Sequence, residues 1–539
     1  MIKPFKSKRV PVPALTVLSV ILIAALGLAG PLGLQAQSGT ATGRSPALQL
    51  PTLGDGSNMS SSAERRLGDS IARQIYRDPD YIDDPVLAEY VQGIWQPLLS
   101  AARARGDLSP ELDARFAWEI LLGRDRTVNA FALPGGYLGV HLGLIGMVGS
   151  RDELASVLGH ELSHVTQRHI SRLMAKQEQQ APWVLGAMIL GALAASKSAD
   201  AGNALIVGGQ AISAQNQLNF SRDMEREADR VGFGVMTQAG FAAQGVVGMF
   251  DKLQQASRLN DNGAYPYLRS HPLTTERIAD MQSRLPLGAA AAAVVQGDSV
   301  HAMVVARARV LSNPGVDALR AVRVEADGSK LASLAQTRQA GVLYGAVLAA
   351  SRLRDFANAR AYQERLNTLV RADEGAMRLA RLLQVETSLA AGDAAQAASV
   401  LRTFEGASSA ASDTRRPELF LGAQVAAPVG RGALAAELSQ IVQRLQVWVA
   451  AHPADAQAWQ LLSGAYAAQN QSLRAIRASA ESQVAHLDYA AALDRLKAAQ
   501  ELLRPGRAGQ AAADHIEASI IDTRKRQIEV LLKEQALER

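Results

Sequence analysis

The sequence predicts a mainly α protein: an α+β domain with a small sheet, followed by an α-helical solenoid. Three observations carry this. Alanine is abundant and aromatic residues are only 5% of the 539-residue chain, a composition suited to closely packed helices. Short strand-like apolar runs are confined to residues 116–140, just ahead of a helically periodic stretch from 150 to about 176. Beyond about residue 288 the chemically distinctive motifs stop and one helical pattern follows another.

Composition narrows the function. The net charge of +5 is small for this length, and part of it comes from Lys3, Lys6, Lys8 and Arg9, so no nucleic-acid face is read from it. There is no cysteine. A metal would therefore be held by His and carboxylate, which suits a catalytic site better than a cysteine-built structural one.

In chain order, residues 1–36 read as a secretory signal peptide. A basic start precedes an apolar run over 14–28, Gly30-Pro31 breaks it, and a cut is expected after Ala36. In a bacterium this implies the periplasm. The Ser-, Gly- and Pro-rich stretch 37–62 is a flexible leader. Helices follow over 63–76 and 85–105, the second with Asp84 as N-cap, Pro85 at its first position, and Pro97 expected to kink or divide it. Residues 116–122 read as a strand. Residues 129–132 and 137–140 flank the turn Leu133-Pro134-Gly135-Gly136, and a helix is expected over 141–148. Gly135, Gly136 and Tyr137, leading on to Val140, are the expected substrate-binding edge, because an extended peptide needs a strand edge to pair with.

The central helix opens with the capping box Ser150-Arg151-Asp152-Glu153 and carries His160-Glu161-Leu162-Ser163-His164. Residues four apart share a helical face, so His160 and His164 can direct two imidazoles at one cation, with Glu161 in reach of a water as general base. His169 falls about 180° round the same axis and is expected to face away, as a surface or packing residue. Residues 181–195 are apolar all round and 201–211 are Gly- and Ala-rich; they read either as a buried helical hairpin or as a mobile lid or membrane-touching segment over the cleft. A third ligand is expected from the helix beginning near Phe220. Glu225 and Asp229 share a face there, suggesting Glu225 on the metal and Asp229 accepting the second N–H of a ligating histidine. Glu227 would face elsewhere.

H-E-L-S-H, S-R-D-M-E-R-E-A-D-R-V-G, R-S-H-P-L-T-T-E-R-I at 269–278 and N-A-F-A-L-P-G-G-Y at 129–137 together resemble the HtpX-like gluzincin metallopeptidases. The resemblance implies a zincin-like metallopeptidase domain over residues 63–287. It also implies one zinc ion per chain on His160, His164 and Glu225, with Glu161 as the base. His271 corresponds to a histidine that can lie at the active site of similar periplasmic proteases. It would be either a donor to the tetrahedral intermediate or a fourth ligand that keeps the enzyme latent.

Residues 288–539 form the predicted helical domain. Trp459-x-x-Leu462-Ser463-x-x-Tyr466 matches the tetratricopeptide first-helix pattern, and Asp488-Tyr489 with Ala492 and Ala499 resembles a second helix of such a unit. An export signal, a peptidase domain and tetratricopeptide-like repeats together resemble the periplasmic quality-control branch of the family. That implies degradation of misassembled or unfolded outer-membrane proteins, help with their assembly, and docking on the barrel-assembly machinery; peripheral membrane contact is expected only if the apolar 181–211 segment touches the membrane. The alternative reading is a non-proteolytic chaperone or scaffold acting through the repeats.

Overall fold

A computed structural model describes residues 59–176, 221–258, 264–285, 298–405, 415–427, 435–503 and 512–537. The predicted signal peptide, almost all of the leader, and the apolar stretches at 181–195 and 201–211 lie outside them. Among the described residues, no helix is long and apolar enough to cross a membrane. The fold is mainly α with one three-stranded sheet.

The first layer is helical. In α1 (Ser61–Tyr76), Ser60 caps the first turn; in α2 (Pro85–Arg105), Asp84 accepts from Leu87 N at 2.9 Å and Pro85 opens the helix. Pro97 does not divide α2 as expected. It cannot bond the carbonyl of Gly93, and the guanidinium of Arg151 donates to that oxygen instead. After α3 (Pro110–Arg115) the first strand starts later than predicted, because Phe116 ends the helix and Trp118 turns with φ +52°. The strands are β1 (Glu119–Gly123), β2 (Ala130–Leu133) and β3 (Tyr137–His141).

Their order is β1-β3-β2, with β1 parallel and β2 antiparallel to β3. This corrects the expected substrate edge, since Tyr137–His141 is the middle strand and is paired on both sides. Tyr81 and Ile82 cover part of the outer side of β1. Among the described residues, no strand pairs with the outer side of β2.

Next come α4 (Leu142–Met147), α5 (Arg151–Thr166) and α6 (His169–Lys176). Ser150 caps α5 by accepting from Glu153 N at 3.2 Å. The single helix expected over 150–176 is broken at Gln167-Arg168, where Arg168 takes φ +53° and ties to Glu64 at 3.0 Å. Among the described residues, the remaining peptidase-side helices are α7 (Arg222–Gln238), α8 (Gln244–Arg258), α9 (Tyr267–Ser270) and α10 (Thr275–Ser283). The described residues hold twelve more, α11 to α22, from Ser299–Ser312 to Ala512–Leu537.

One apolar core extends from α2 through the sheet and α5 into α11 and the helices after it, as far as Val425. Three arginines of the later helices clasp the start of α2. Arg307 bonds Asp84 (2.6 Å) and Glu386 (2.9 Å), Arg378 bonds Glu89 (2.7 Å) and Glu418 (2.5 Å), and Arg416 bonds Asp83 (2.7 Å) and Asp455 (2.8 Å).

Candidate metal centre

Two crossing helices build the site. α5 and α7 approach so closely at Gly159 and Gly232 that a Cβ on Gly232 would meet the backbone of Gly159 at 2.9 Å. This contact brings the H-E-x-x-H face of α5 against the face of α7 that carries Glu225 and Asp229, both of them buried.

One ligand atom from each of His160, His164, Glu225 and His271 lies within 4.8 Å of the others, and all four residues are buried. The Nε2 atoms of His160 and His164 are 3.0 Å apart, and Glu225 carboxylate oxygens lie 3.5 Å from each. His271, at the end of α9, places Nδ1 3.0 Å from Glu225 Oε1 and Nε2 3.4 Å from Glu161 Oε1, with Tyr267 stacked on its ring. The four residues that the sequence nominated for binding or latency therefore converge.

Glu161 is fully buried, and neither of its carboxylate oxygens has a hydrogen bond. A buried carboxylate left in that condition is costly unless a ligand satisfies it. The surrounding charges favour a cation. Burial works against charge on His160, but hydrogen bonds to Asp229 and Glu225 outweigh it and push its pKa up to about 10. Burial would raise Glu225, yet His271 and His160 hold it well below the usual carboxylate range. A site of imidazole and carboxylate donors with an unsatisfied acid beside it fits a catalytic divalent metal.

Asp229 takes up the predicted supporting position, with its Oδ1 3.0 Å from His160 Nδ1. Arg277, from α10, holds it with two bonds of 2.6 and 2.8 Å and also reaches Glu225 at 2.8 Å. Arg277 lies in the R-S-H-P-L-T-T-E-R-I motif, but nothing in its spacing foretold the partner.

Two expectations are corrected. His169 does not face away: the break before α6 swings it back, fully buried, to 2.9 Å from His164. Glu227, also expected elsewhere, reaches His169 at 3.1 Å. The residues proposed for substrate binding are not accessible. Gly135 (φ +73°) and Gly136 (φ +86°) are buried under α1 and the 116–118 turn, and the hydroxyl of the buried Tyr137 donates to Asp69 at 2.8 Å.

Among the described residues, the edge with no partner strand belongs to β2, where Val128, Ala130 and Ala132 are buried. His141 N bonds Asn129 O across to β3, so in antiparallel alternation Val128, Ala130 and Ala132 direct their backbone groups outward. Val128 is already engaged: its N–H bonds Ala264 O at 2.8 Å and its carbonyl accepts from Tyr267 N at 3.3 Å. The segment leading to His271 is thus pinned to the upstream end of this edge.

Comparison with known proteins agrees with the geometry. Residues 93–285 match peptidase family M48. The beta-barrel assembly-enhancing protease of Escherichia coli K12 is 34% identical over 241 residues, 44% of this chain and 47% of that protein. Its namesake in Yersinia pestis is 33% identical over 270 residues, 49% and 52% of the two chains. The mitochondrial metalloendopeptidase OMA1 of Saccharomyces cerevisiae is 28% identical over 201 residues, 36% and 55% of the two chains. The matched stretch spans about half the length of these curated relatives. Residues 93–285, which contain every one of the converging side chains, are the part of the chain that matches peptidase family M48.

Proposed function

We propose that the chain is a zinc-dependent endopeptidase of the periplasm that degrades misassembled outer-membrane proteins and assists their assembly. The observation that carries the chemistry is Glu161, a buried carboxylate with no hydrogen bond beside a His-His-Glu-His cluster. The names of the relatives support the substrate class, and the basic and apolar start of the sequence supports export.

His160, His164 and Glu225 would hold the zinc ion. When bound, zinc supplies Lewis-acid polarisation of the scissile carbonyl and a lowered pKa for water. Glu161 takes the proton of the attacking water on a carboxylate oxygen and delivers it to the leaving amine nitrogen. Asp229, fixed by Arg277, accepts the Nδ1–H of His160 and keeps its Nε2 turned inward. The outer edge of β2 at Ala132, which no described strand pairs with, would take an extended substrate running towards the segment bearing His271 once the cover over this buried edge is displaced. His271, 3.0 Å from Glu225 Oε1 and 3.4 Å from Glu161 Oε1, would occupy the space of the attacking water in the resting enzyme and would have to leave it when substrate enters. Docking on the barrel-assembly machinery through the later helices belongs to the same reading.

The test compares wild type with Glu161→Gln on an unfolded outer-membrane protein. Wild type is expected to cleave it, and the variant to lose at least about 100-fold in rate. Equal cleavage by both would remove the protease reading and leave the chaperone or scaffold.

A further inference from the structure

The two inward-facing histidines of α5 are supported in different ways. His160 leans directly on a carboxylate, Asp229. His164 leans on another histidine: its Nδ1 lies 2.9 Å from Nδ1 of His169. The opposite nitrogen of His169, Nε2, is 3.1 Å from Glu227 Oε2, and Arg172 Nη1 is 2.8 Å from that same oxygen.

This chain of contacts fixes where the hydrogens sit. Ionised Glu227 only accepts, so His169 carries its hydrogen on Nε2 and keeps a lone pair on Nδ1. The contact between the two Nδ1 atoms needs one donor and one acceptor, so His164 carries its hydrogen on Nδ1. Its Nε2 then presents a lone pair to the centre, where it stands 3.0 Å from His160 Nε2 and 3.5 Å from Glu225 Oε1. The backbone is arranged to make this contact. An unbroken helix would carry His169 to the far side, but Arg168 at φ +53° starts a new helix that returns the ring to His164.

We propose that His169, oriented by Glu227, is a positioning residue that selects the metal-binding tautomer and ring angle of His164. The inference rests on the zinc-centre reading of His160, His164 and Glu225. It extends the supporting shell beyond Asp229 to a relay through a second imidazole, with a surface acid and Arg172 at its outer end. A packing role alone would require only the volume of the buried ring.

The test is the zinc affinity of the full-length chain, measured by competition with a chelator of known affinity and using zinc alone as the probe. The melting temperature of each metal-free protein is recorded alongside. His169→Leu keeps apolar volume and removes the acceptor, so its affinity is expected to fall about 10- to 100-fold. His169→Asn, whose amide oxygen can take the place of Nδ1, is expected to recover most of that loss. Glu227→Ala, at a half-exposed position that does not threaten folding, is expected to fall in the same direction by less, and it carries the test if His169→Leu does not fold. Wild-type affinity in His169→Leu or in Glu227→Ala, or His169→Asn binding no better than the leucine variant, overturns the proposal. A His164→Ala chain that binds zinc as tightly as wild type strikes the metal-centre reading itself, and this proposal with it.

Discussion

His271 lies 3.0 Å from Glu225 and 3.4 Å from Glu161, so it contacts both an expected ligand and the expected base. A ring in that position competes with water for the same space. His271→Ala is therefore expected to raise basal proteolysis of an unfolded substrate; unchanged activity would contradict the latent role, and lost activity would contradict it and favour a donor role. At this scale the sequence was most informative where the spacing rule applies within one helix. His160, His164, Glu225 and Asp229 were legible because positions four apart share a face whatever surrounds them. His169 and Glu227 were not legible, because a phase counted from His160 holds only while the helix is continuous. No residue type at Gln167-Arg168 signals the break.

The crossing of α5 and α7 depends on the absence of side chains at Gly159 and Gly232. A methyl group at 232 would press on the Gly159 backbone at 2.9 Å and on His160 N at the same distance. Gly232→Ala is expected to cost about 1–3 kcal/mol through overpacking. It should also weaken zinc binding by moving Glu225 away from α5, as chelator competition and thermal melting would show. Undiminished affinity would mean that the crossing tolerates a wider gap.

The edge of β2 makes a separate prediction. Ala132→Pro removes an outward N–H that an extended substrate would accept from, a loss of about 1 kcal/mol, or roughly fivefold in kcat/KM. Steady-state kinetics on a peptide substrate would check this, with an unchanged melting temperature as control. The strands themselves were legible from short apolar runs and the glycine turn. Their order was not, because a middle strand and an edge strand can share one local pattern, and pairing between β1 and β3 is set by the whole domain.

Across the whole molecule, Arg307, Arg378 and Arg416 each join an acid at the start of α2 to an acid of the later helices. Arg307 is buried among Asp84, Glu386 and Tyr344. Arg307→Ala would strand two acids and is expected to cost about 3–5 kcal/mol, measurable by denaturant unfolding. Asp455 adds a pH dependence. Burial alone would raise its pKa, but Arg416 and Trp448 hold it below the ordinary value. A depressed carboxylate contributes stability above its unfolded pKa of about 4, and that stability is lost as pH falls through the lower folded value. Melting temperature should therefore drop as the medium is acidified below about pH 4, and less steeply in Arg416→Gln.

Helix periodicity foretold most of the helices beyond residue 288. It did not foretell that their arginines reach back to Asp83, Asp84 and Glu89, contacts that span hundreds of residues and leave no local trace. The proposed metal centre can be tested directly by anomalous X-ray scattering at the zinc edge from crystals of the zinc-treated chain. The expected result is one peak bounded by His160, His164 and Glu225. No peak there, or a zinc ion held only elsewhere, would contradict the reading on which the proposed function rests.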